Sequence, residues 1–248
     1  MAILWEKELD GTSYEVRSAG RTRRLYTDGV FHSQYNPTQP LAGGIWDLLF
    51  LPALFSAPGQ VKRVLVLGVG GGSVIHQLQR YIAPEKIVGV ELNPVHLHVA
   101  KSFFFIDKSV AELHQADATK WLAEYRGPKF DLIIEDLFGE KNGEPIRAVF
   151  ASAEWFALLN KNLARQGTLV MNFIGSNELR RCAYFTHETT AQHFKSAFQF
   201  TLPMYDNVIA AFLKQDTSSE ELRAYLRATP GLGSKTSLAK LKYHIKKI

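Results

Sequence analysis

The chain has 248 residues and a formal net charge of +5, with 46% hydrophobic and 21% charged residues. This composition is typical of a globular protein and argues against intrinsic disorder and fibrous structure. No apolar stretch approaches the ~20 residues that a membrane span needs, and the N-terminal residues lack the basic and apolar segments of a secretion signal. The single cysteine, Cys182, excludes an internal disulfide and a cysteine-rich zinc site. We therefore expect a cytoplasmic protein that makes no membrane contact.

The positive charge is concentrated at the C-terminal end of the sequence. Residues 231–248 contain five lysines and no acidic residue, so they account for the whole net charge and the rest of the chain is formally neutral. A basic segment can contact nucleic-acid phosphates, although short blocks of like charge are more often solvated tails. We predict a basic C-terminal tail over 231–248, and it is the one segment suited to nucleic acid.

The first 50 residues have the pattern of a small antiparallel sheet. Residues 13–18 and 23–27 alternate in polarity as strands do, and Asp28-Gly29 is a strong hairpin signal before a further strand at 30–33. We predict an N-terminal β-hairpin domain and linker over 1–50, with an apolar helix over 45–55.

Beyond residue 61, short apolar strands alternate with helices. The predicted strands are 64–67, 87–90, 110–114, 132–134 and 168–173, and the predicted helices are 73–81, 94–103, 118–125 and 151–163. An antiparallel pair, 198–202 and 208–213, follows them. This alternation indicates an α/β fold with a Rossmann-like doubly wound sheet over 51–230.

A glycine-rich loop follows the first strand of this region. Gly68, Gly70 and Gly72 lie between an apolar strand and a helix, where glycines permit positive φ and the helix N-terminus offers free N–H groups. Glu91 ends the next strand, where a carboxylate can accept hydrogen bonds from ribose hydroxyls. The pattern predicts a nucleoside site formed by these four residues. A tight packing turn and a charge at a helix N-terminus are the alternatives.

Further acidic residues follow the later strands. Asp117 can accept a hydrogen bond from an adenine amine or cap the following helix. The strand at 132–134 leads into Glu135 and Asp136, with Glu140 shortly after. Clustered carboxylates raise one another's pKa and can attract a cation or act as a base. We predict Asp136 as the catalytic base, with Glu135 and Glu140 orienting the acceptor.

Other candidate residues are a pair of histidines and one tyrosine. His96 and His98 are two positions apart, so they point to different faces of the predicted helix and cannot share a metal ion. We predict that the protein has no metal site. Tyr205 lies in a late turn at 203–207, and we predict that it lines the acceptor pocket.

These motifs resemble a known group of enzymes. The order Gly68-x-Gly70-x-Gly72, Glu91, Asp117, Asp136 is similar to the nucleoside-binding core of class I S-adenosylmethionine-dependent methyltransferases and polyamine aminopropyltransferases. Three segments resemble the spermidine synthase family in particular: Tyr26-Thr27-Asp28-Gly29, Glu154-Trp155-Phe156 and Val170-Met171-Asn172. The resemblance covers residues 1–215 and implies a class I methyltransferase-type fold. It also implies S-adenosylmethionine or its decarboxylated form as co-substrate, a small amine acceptor and a possible homodimer.

The sequence departs from the family pattern at three single residues, and the tyrosine–histidine–glutamate segment that the family has after the hairpin is not evident in residues 36–46. His32 stands where the family has a glutamine near the donor, so the resemblance implies that His32 contacts the donor. Gly71 replaces an aspartate of the glycine loop, and Gly139 replaces the second aspartate of the acidic motif. In the family these aspartates help to hold a diamine cation and favour the decarboxylated donor. Both donors therefore remain open.

Three functions are compatible with the sequence. The first is a spermidine-synthase-like transferase that moves an aminopropyl or methyl group to a small acceptor. The second is a small-molecule or RNA methyltransferase, although the sequence has Glu135-Asp136-Leu137-Phe138 and not the Asn/Asp-Pro-Pro-aromatic motif for flipped bases. The third is a non-catalytic nucleoside-binding homologue, which the missing aspartates favour.

Overall fold

The computed structural model describes residues 1–141, 144–233 and 241–248, with the side chains of 140, 141 and 144 left out of the description. Within these residues, a four-stranded antiparallel sheet precedes an eight-stranded mixed sheet with helices on both faces. The α/β, Rossmann-like architecture with a small N-terminal β unit is confirmed. None of the described helices combines the length and the apolar composition that crossing a bilayer requires.

The N-terminal sheet is a meander whose strands pair in sequence order. Its strands are β1 (Ala2–Leu9), β2 (Thr12–Ala19), β3 (Thr22–Thr27) and β4 (Val30–Tyr35). Asp28 and Gly29 both have positive φ, at 47° and 79°, which is the conformation that a type I′ hairpin requires. The predicted hairpin is therefore confirmed, and β1 is an additional strand. Val16 and Leu25 are fully buried against Val99 and Phe104, which docks this sheet onto the larger unit.

A short helical segment connects the two sheets. It consists of α1 (Ile45–Phe50) followed by a 3-10 turn, Leu51–Phe55. The predicted single helix over 45–55 is thus split, because Pro52 lacks the N–H that would continue the α-helical hydrogen bonding.

The remaining elements alternate between strand and helix before the chain closes the sheet. The strands are β5 (Arg63–Leu67), β6 (Lys86–Glu91), β7 (Glu112–Gln115), β8 (Phe130–Glu135), β9 (Phe138–Lys141), β10 (Glu144–Arg147), β11 (Leu163–Phe173), β12 (Ser196–Thr201), β13 (Val208–Leu213) and β14 (His244–Lys247). The helices are α2 (Ser73–Tyr81), α3 (Pro94–Ser102), α4 (Ala118–Glu124), α5 (Ala153–Asn162), α6 (Ser176–Arg181), α7 (Ala183–Thr186), α8 (Glu188–Ala191) and α9 (Ser219–Ala228).

The order of the strands fixes where a ligand can bind. The large sheet runs β14-β12-β13-β11-β8-β5-β6-β7, and the five strands from β11 to β7 are parallel. The chain leaves β5 toward β6 on one side and returns to β8 on the other. Open α/β sheets bind ligands at the carboxyl ends of the strands at such a switch point. The ends of β5, β6 and β8 therefore define the candidate site.

The sheet is buried on both faces, as its continuous apolar strands predict. Val64 and Val66 of β5 pack into the core that includes α1, α2 and α9. Leu65 and Leu67 of the same strand point the opposite way, into the core that includes α4, α5 and α7. All four side chains are fully buried.

Two element boundaries differ from the sequence prediction. The strand predicted at 110–114 begins at Glu112, because the Asp107 carbonyl accepts hydrogen bonds from the amides of Val110 and Ala111 and holds that stretch in a turn. The predicted basic tail contains β14, an edge strand antiparallel to β12. Residues 234–240 of that tail lie outside the described part of the chain. The domain boundaries at 50 and 230 remain predictions.

The turn after β5 provides a test of the fold. Gly68 has a φ of +84°, and a Cβ at this position would lie 2.1 Å from the carbonyl oxygen of Asp136. We expect Gly68→Ala to lower the free energy of unfolding by about 3 kcal/mol, since it adds both strain and a backbone clash. Gly139→Ala is the control, because a Cβ there meets nothing within 4 Å; it should change stability by less than about 0.5 kcal/mol. Equal effects in urea unfolding would contradict this explanation.

Candidate active site

The glycine loop between β5 and α2 is held tightly from within the protein. The Gly68 amide donates to the Val90 carbonyl at 2.9 Å, and the Gly72 amide donates to the Val69 carbonyl at 2.7 Å. Gly72 has a φ of +87° and forms the N-cap of α2. The loop thus joins the end of β5 to the helix by a turn that brings bare backbone to the switch point. The predicted loop residues Gly68, Gly70 and Gly72 all lie there.

Glu91 braces this loop from the end of β6. Its Oε2 accepts hydrogen bonds from the amides of Val69 at 3.0 Å and Gly70 at 2.9 Å. Its Oε1 accepts one from the Asn93 amide at 2.9 Å, at the start of α3. A carboxylate oxygen can accept two hydrogen bonds, so Oε1 retains capacity for a ribose hydroxyl. Glu91 therefore lies beside the loop, as predicted, and also has a structural role.

The N-terminal sheet forms the wall next to the loop. The Gly71 amide donates to Ser33 Oγ at 2.8 Å. A Cβ on Gly71 would lie 2.7 Å from the Phe104 ring and 2.8 Å from Ser33 Cβ. The space that a side chain at this position would need is thus filled, and an aspartate at residue 71 would not fit.

His32 lies in β4 next to this wall and is partly buried. Its ring centroid is 5.0 Å from that of His96, whose Nε2 is 2.9 Å from Thr27 Oγ1. Burial lowers the pKa of His96 to about 4, so that imidazole is neutral at physiological pH. His96 therefore joins α3 to the N-terminal sheet. Donor contact by His32 remains a prediction.

Asp117 caps the helix that follows β7. Its Oδ1 accepts hydrogen bonds from the amide of Thr119 at 2.8 Å and the amide of Lys120 at 3.2 Å. The Thr119 hydroxyl and these amides lower the pKa of the carboxyl group. Asp117 therefore is the N-cap of α4 through Oδ1, which is one of the two roles that the sequence suggested. Contact of Asp117 with an adenine amine remains a prediction, for which Oδ2 is the oxygen outside the capping bonds.

Asp136 follows β8 at the switch point and is partly buried. Its amide donates to the Leu67 carbonyl at 2.8 Å, which ties the end of β8 to the start of the glycine loop. Asn172 Nδ2 donates to Asp136 Oδ1 at 2.8 Å. Burial raises the pKa of Asp136 to about 6, against the lowering effects of Asn172 and Arg147, and nearby Glu91 raises it further. The carboxylate is thus ionised at neutral pH and able to take up a proton.

Glu135, which we predicted to orient the acceptor, lies in the interior of the protein. Its side chain is fully buried, and its Oε1 accepts a hydrogen bond from Arg147 at 2.9 Å. Burial raises the pKa of Glu135 to about 7 despite the attraction of Arg147. Glu135 therefore forms an ion pair with Arg147 inside the protein and is not placed to contact an acceptor. The side chain of Glu140, the other predicted orienting acid, lies outside the described residues.

Arg147 is a central residue of the site that the sequence analysis missed. From the end of β10 it donates hydrogen bonds to Glu135 and to the carbonyl oxygens of Asn172 and Val149. Its guanidinium also lies 4.8 Å above the ring of Phe173. It thereby fixes the β9–β10 hairpin to the ends of β8 and β11. No local pattern in the sequence marks this arginine, because its partners come from distant segments.

Tyr205 lies on the turn between β12 and β13. Its side chain is 41% exposed. A Cβ on Gly44 would be 3.6 Å from the Tyr205 hydroxyl and 3.5 Å from the Trp46 ring. Trp46 in turn contacts Phe31 of the N-terminal hairpin, with ring centroids 4.8 Å apart. Tyr205 thus lies near Trp46 and Phe31, and its place in an acceptor pocket remains a prediction.

Comparison with known proteins identifies related sequences and folds. The family model of the spermine/spermidine synthase domain matches residues 48–224. The polyamine aminopropyltransferase of Vibrio vulnificus is 29% identical over 147 residues, which cover 57% of this chain and 46% of that protein. The chain thus spans about half the length of this curated relative.

Solved structures give the same fold at low sequence identity. A probable spermidine synthase from Corynebacterium glutamicum superposes with a TM-score of 0.76 at 18% identity, covering 99% of this chain and 91% of that one. Human methyltransferase-like protein 13, solved in complex with SAH, superposes with a TM-score of 0.56 at 20% identity, covering 82% and 90%. These likenesses establish the methyltransferase-like fold.

The raised pKa of Asp136 predicts how stability depends on pH. The folded-state pKa, about 6, exceeds the ordinary value of 3.8, so ionisation of Asp136 destabilises the fold as pH rises from about 4 to 6. Asp136→Asn removes this penalty and should stabilise the protein at pH 8 by about 1–2 kcal/mol, with little gain at pH 3.5. Thermal unfolding at both pH values measures the difference.

The control for this measurement is Asp10→Asn, the same substitution on an exposed turn. It should show no gain that grows with pH. If Asp136→Asn stabilised the protein equally at pH 3.5 and pH 8, the account of the Asp136 environment would be wrong.

Proposed function

The chain belongs to the spermine/spermidine synthase family, and on this premise we propose that it transfers an aminopropyl group from decarboxylated S-adenosylmethionine to a small amine. The observation that carries the proposal is the convergence of three strand ends at one edge of the sheet. There Glu91 accepts hydrogen bonds from the glycine loop, and the Asp136 amide donates to the Leu67 carbonyl at the start of that loop. A nucleoside held by Glu91 and the loop would bring its sulfur next to Asp136.

The glycine loop and Glu91 would bind the donor. The free capacity of Glu91 Oε1 suits a ribose hydroxyl, and Glu91 Oε2 holds the Val69 and Gly70 amides of the loop beside it. Asp117 follows β7, the strand next to β6, at the same edge of the sheet. Together these residues would hold the adenosine part of the donor.

The proposed transfer reaction requires a base from the protein. Both sulfonium donors already carry an activated carbon, so the protein mainly has to align the nucleophile. The acceptor amine is protonated at neutral pH and must lose a proton to attack. Asp136 would take that proton, the nitrogen lone pair would form the new C–N bond, and the C–S electron pair would return to sulfur. The leaving product is a neutral thioether, and positioned proton transfer typically contributes 10²–10⁴-fold to the rate.

One observation favours intact S-adenosylmethionine as an alternative donor. Ser33 and Phe104 fill the space beside Gly71 where a family member carries an aspartate. Without that negative charge, the loop has less means to repel the carboxylate of intact S-adenosylmethionine. Methyl transfer to a small acceptor is therefore the second candidate function.

Asp136→Asn tests the proposed division between donor binding and chemistry. We expect turnover to fall by about 100-fold or more, because the acceptor loses its base, while donor affinity changes only a few-fold. Steady-state rates and titration calorimetry measure the two quantities, with Asp10→Asn as the matched control. Equal losses of turnover and donor affinity would assign Asp136 to binding.

Binding and transfer assays with three nucleosides distinguish the candidate functions. The experiment uses S-adenosylmethionine, its decarboxylated form and methylthioadenosine, with diamines and monoamines as acceptors. Binding followed by aminopropyl transfer supports the proposal, and methyl transfer supports the second candidate. Binding without turnover indicates a nucleoside-binding homologue, and failure to bind any of the three nucleosides contradicts all of these functions.

A further inference from the structure

Two asparagine side chains form a hydrogen-bonded chain beside Asp136, where β11 ends and β13 begins. Asn172 of β11 donates from Nδ2 to Asp136 Oδ1 at 2.8 Å. Asn207, the last residue of the turn before β13, donates from Nδ2 to Asn172 Oδ1 at 3.1 Å. Asn172 is only 4% exposed, so its amide depends on these partners for its orientation. The link runs from the β12–β13 turn to the proposed base.

The direction of this chain follows from the chemistry of its members. An ionised carboxylate only accepts hydrogen bonds, whereas an amide side chain donates from one end and accepts at the other. Asn172 can therefore present its N–H to Asp136 only if its oxygen faces a donor. Asn207 supplies that donor.

We propose that Asn207 is a positioning residue that acts on Asp136 through Asn172. It keeps the Asn172 N–H directed at Asp136 Oδ1, which stabilises the ionised carboxylate and leaves Oδ2 to exchange protons. This inference rests on the proposed function for its meaning in catalysis. Its physical content, the control of Asp136 ionisation, can be measured without any substrate.

Other charges also act on Asp136 and come from different elements. Arg147 of β10 lowers the Asp136 pKa, and Glu91 of β6 raises it. Glu135, the preceding residue, is held by Arg147. None of these groups is bonded to Asn207 among the described residues, so a change at Asn207 leaves them in place. The effect of the asparagine chain is therefore separable from theirs.

Asn207→Asp is the most direct perturbation, because an aspartate there can only accept. The Asn172 amide would then turn its N–H toward residue 207 and its oxygen toward Asp136. Two facing oxygens are tolerated only if Asp136 carries a proton. We expect the pKa of Asp136 to rise by about one unit or more, as measured by carbon-13 NMR titration of labelled aspartate carboxyl groups, with the signal assigned from Asp136→Asn.

A double-mutant cycle distinguishes this mechanism from the added charge alone. If the effect passes through Asn172, the shift caused by Asn207→Asp should be largely lost in an Asn172→Ala background. Met204→Glu adds the same charge to the same turn at a fully exposed side chain, and it should shift the pKa far less. If the shift persists in the Asn172→Ala background, or if Met204→Glu equals it, the inference is overturned. No shift in Asn207→Asp also overturns it.

Asn207→Ala provides a second, uncharged variant in case Asn207→Asp does not fold. It should raise the Asp136 pKa by a smaller amount, and only when Asn172 is present. Activity is a separate readout: where turnover is detected, the acid limb of its pH profile should move upward with the NMR pKa. If the pKa shifts but neither the unmodified protein nor any variant has transferase activity, the result would support the asparagine chain and contradict the proposed function.

Discussion

The rest of the site depends on the hydrogen bonds that the Glu91 carboxylate accepts from the backbone. This carboxylate accepts hydrogen bonds from the amides of Val69 and Gly70 in the loop and from Asn93 at the start of α3. Hydrogen bonds to a charged acceptor are stronger than neutral ones, and a glycine-rich loop needs them because glycine loses much conformational freedom on folding. The side chain that shapes the loop is also the one suited to the ribose. In the proposed function, one carboxylate would therefore link the geometry of the loop to nucleoside binding.

Glu135 and Asp136 show how two consecutive residues at the end of a strand can have different environments. Glu135 points into the interior, where Arg147 neutralises it and fixes the β9–β10 hairpin. Asp136 is only partly buried, and within the described part of the chain its side-chain partner is the Asn172 amide, which bonds to Oδ1. Both have raised pKa values, and burial is the main cause for each. A shifted pKa alone would not distinguish them, whereas their exposure and partners do.

The sequence predicted the features that depend on local patterns. The glycine spacing, the apolar run of β5 and the acids at the strand ends are visible in short windows, and they identified Glu91 and Asp136 at the edge of the sheet. Arg147 and Asn207 were missed because their partners, Glu135 and Asn172, are brought to them by the fold. Burial of Glu135 likewise depends on packing from β10. Strand β14 was missed because a basic composition hides its pairing with β12.

A crystal structure with bound 5′-methylthioadenosine tests the central claim most directly. The account predicts that a ribose hydroxyl lies within hydrogen-bond distance of Glu91 Oε1. It also predicts that the thioether sulfur faces the carboxylate of Asp136, with the glycine loop unchanged. A nucleoside bound elsewhere, or one whose ribose is turned away from Glu91, would contradict the account.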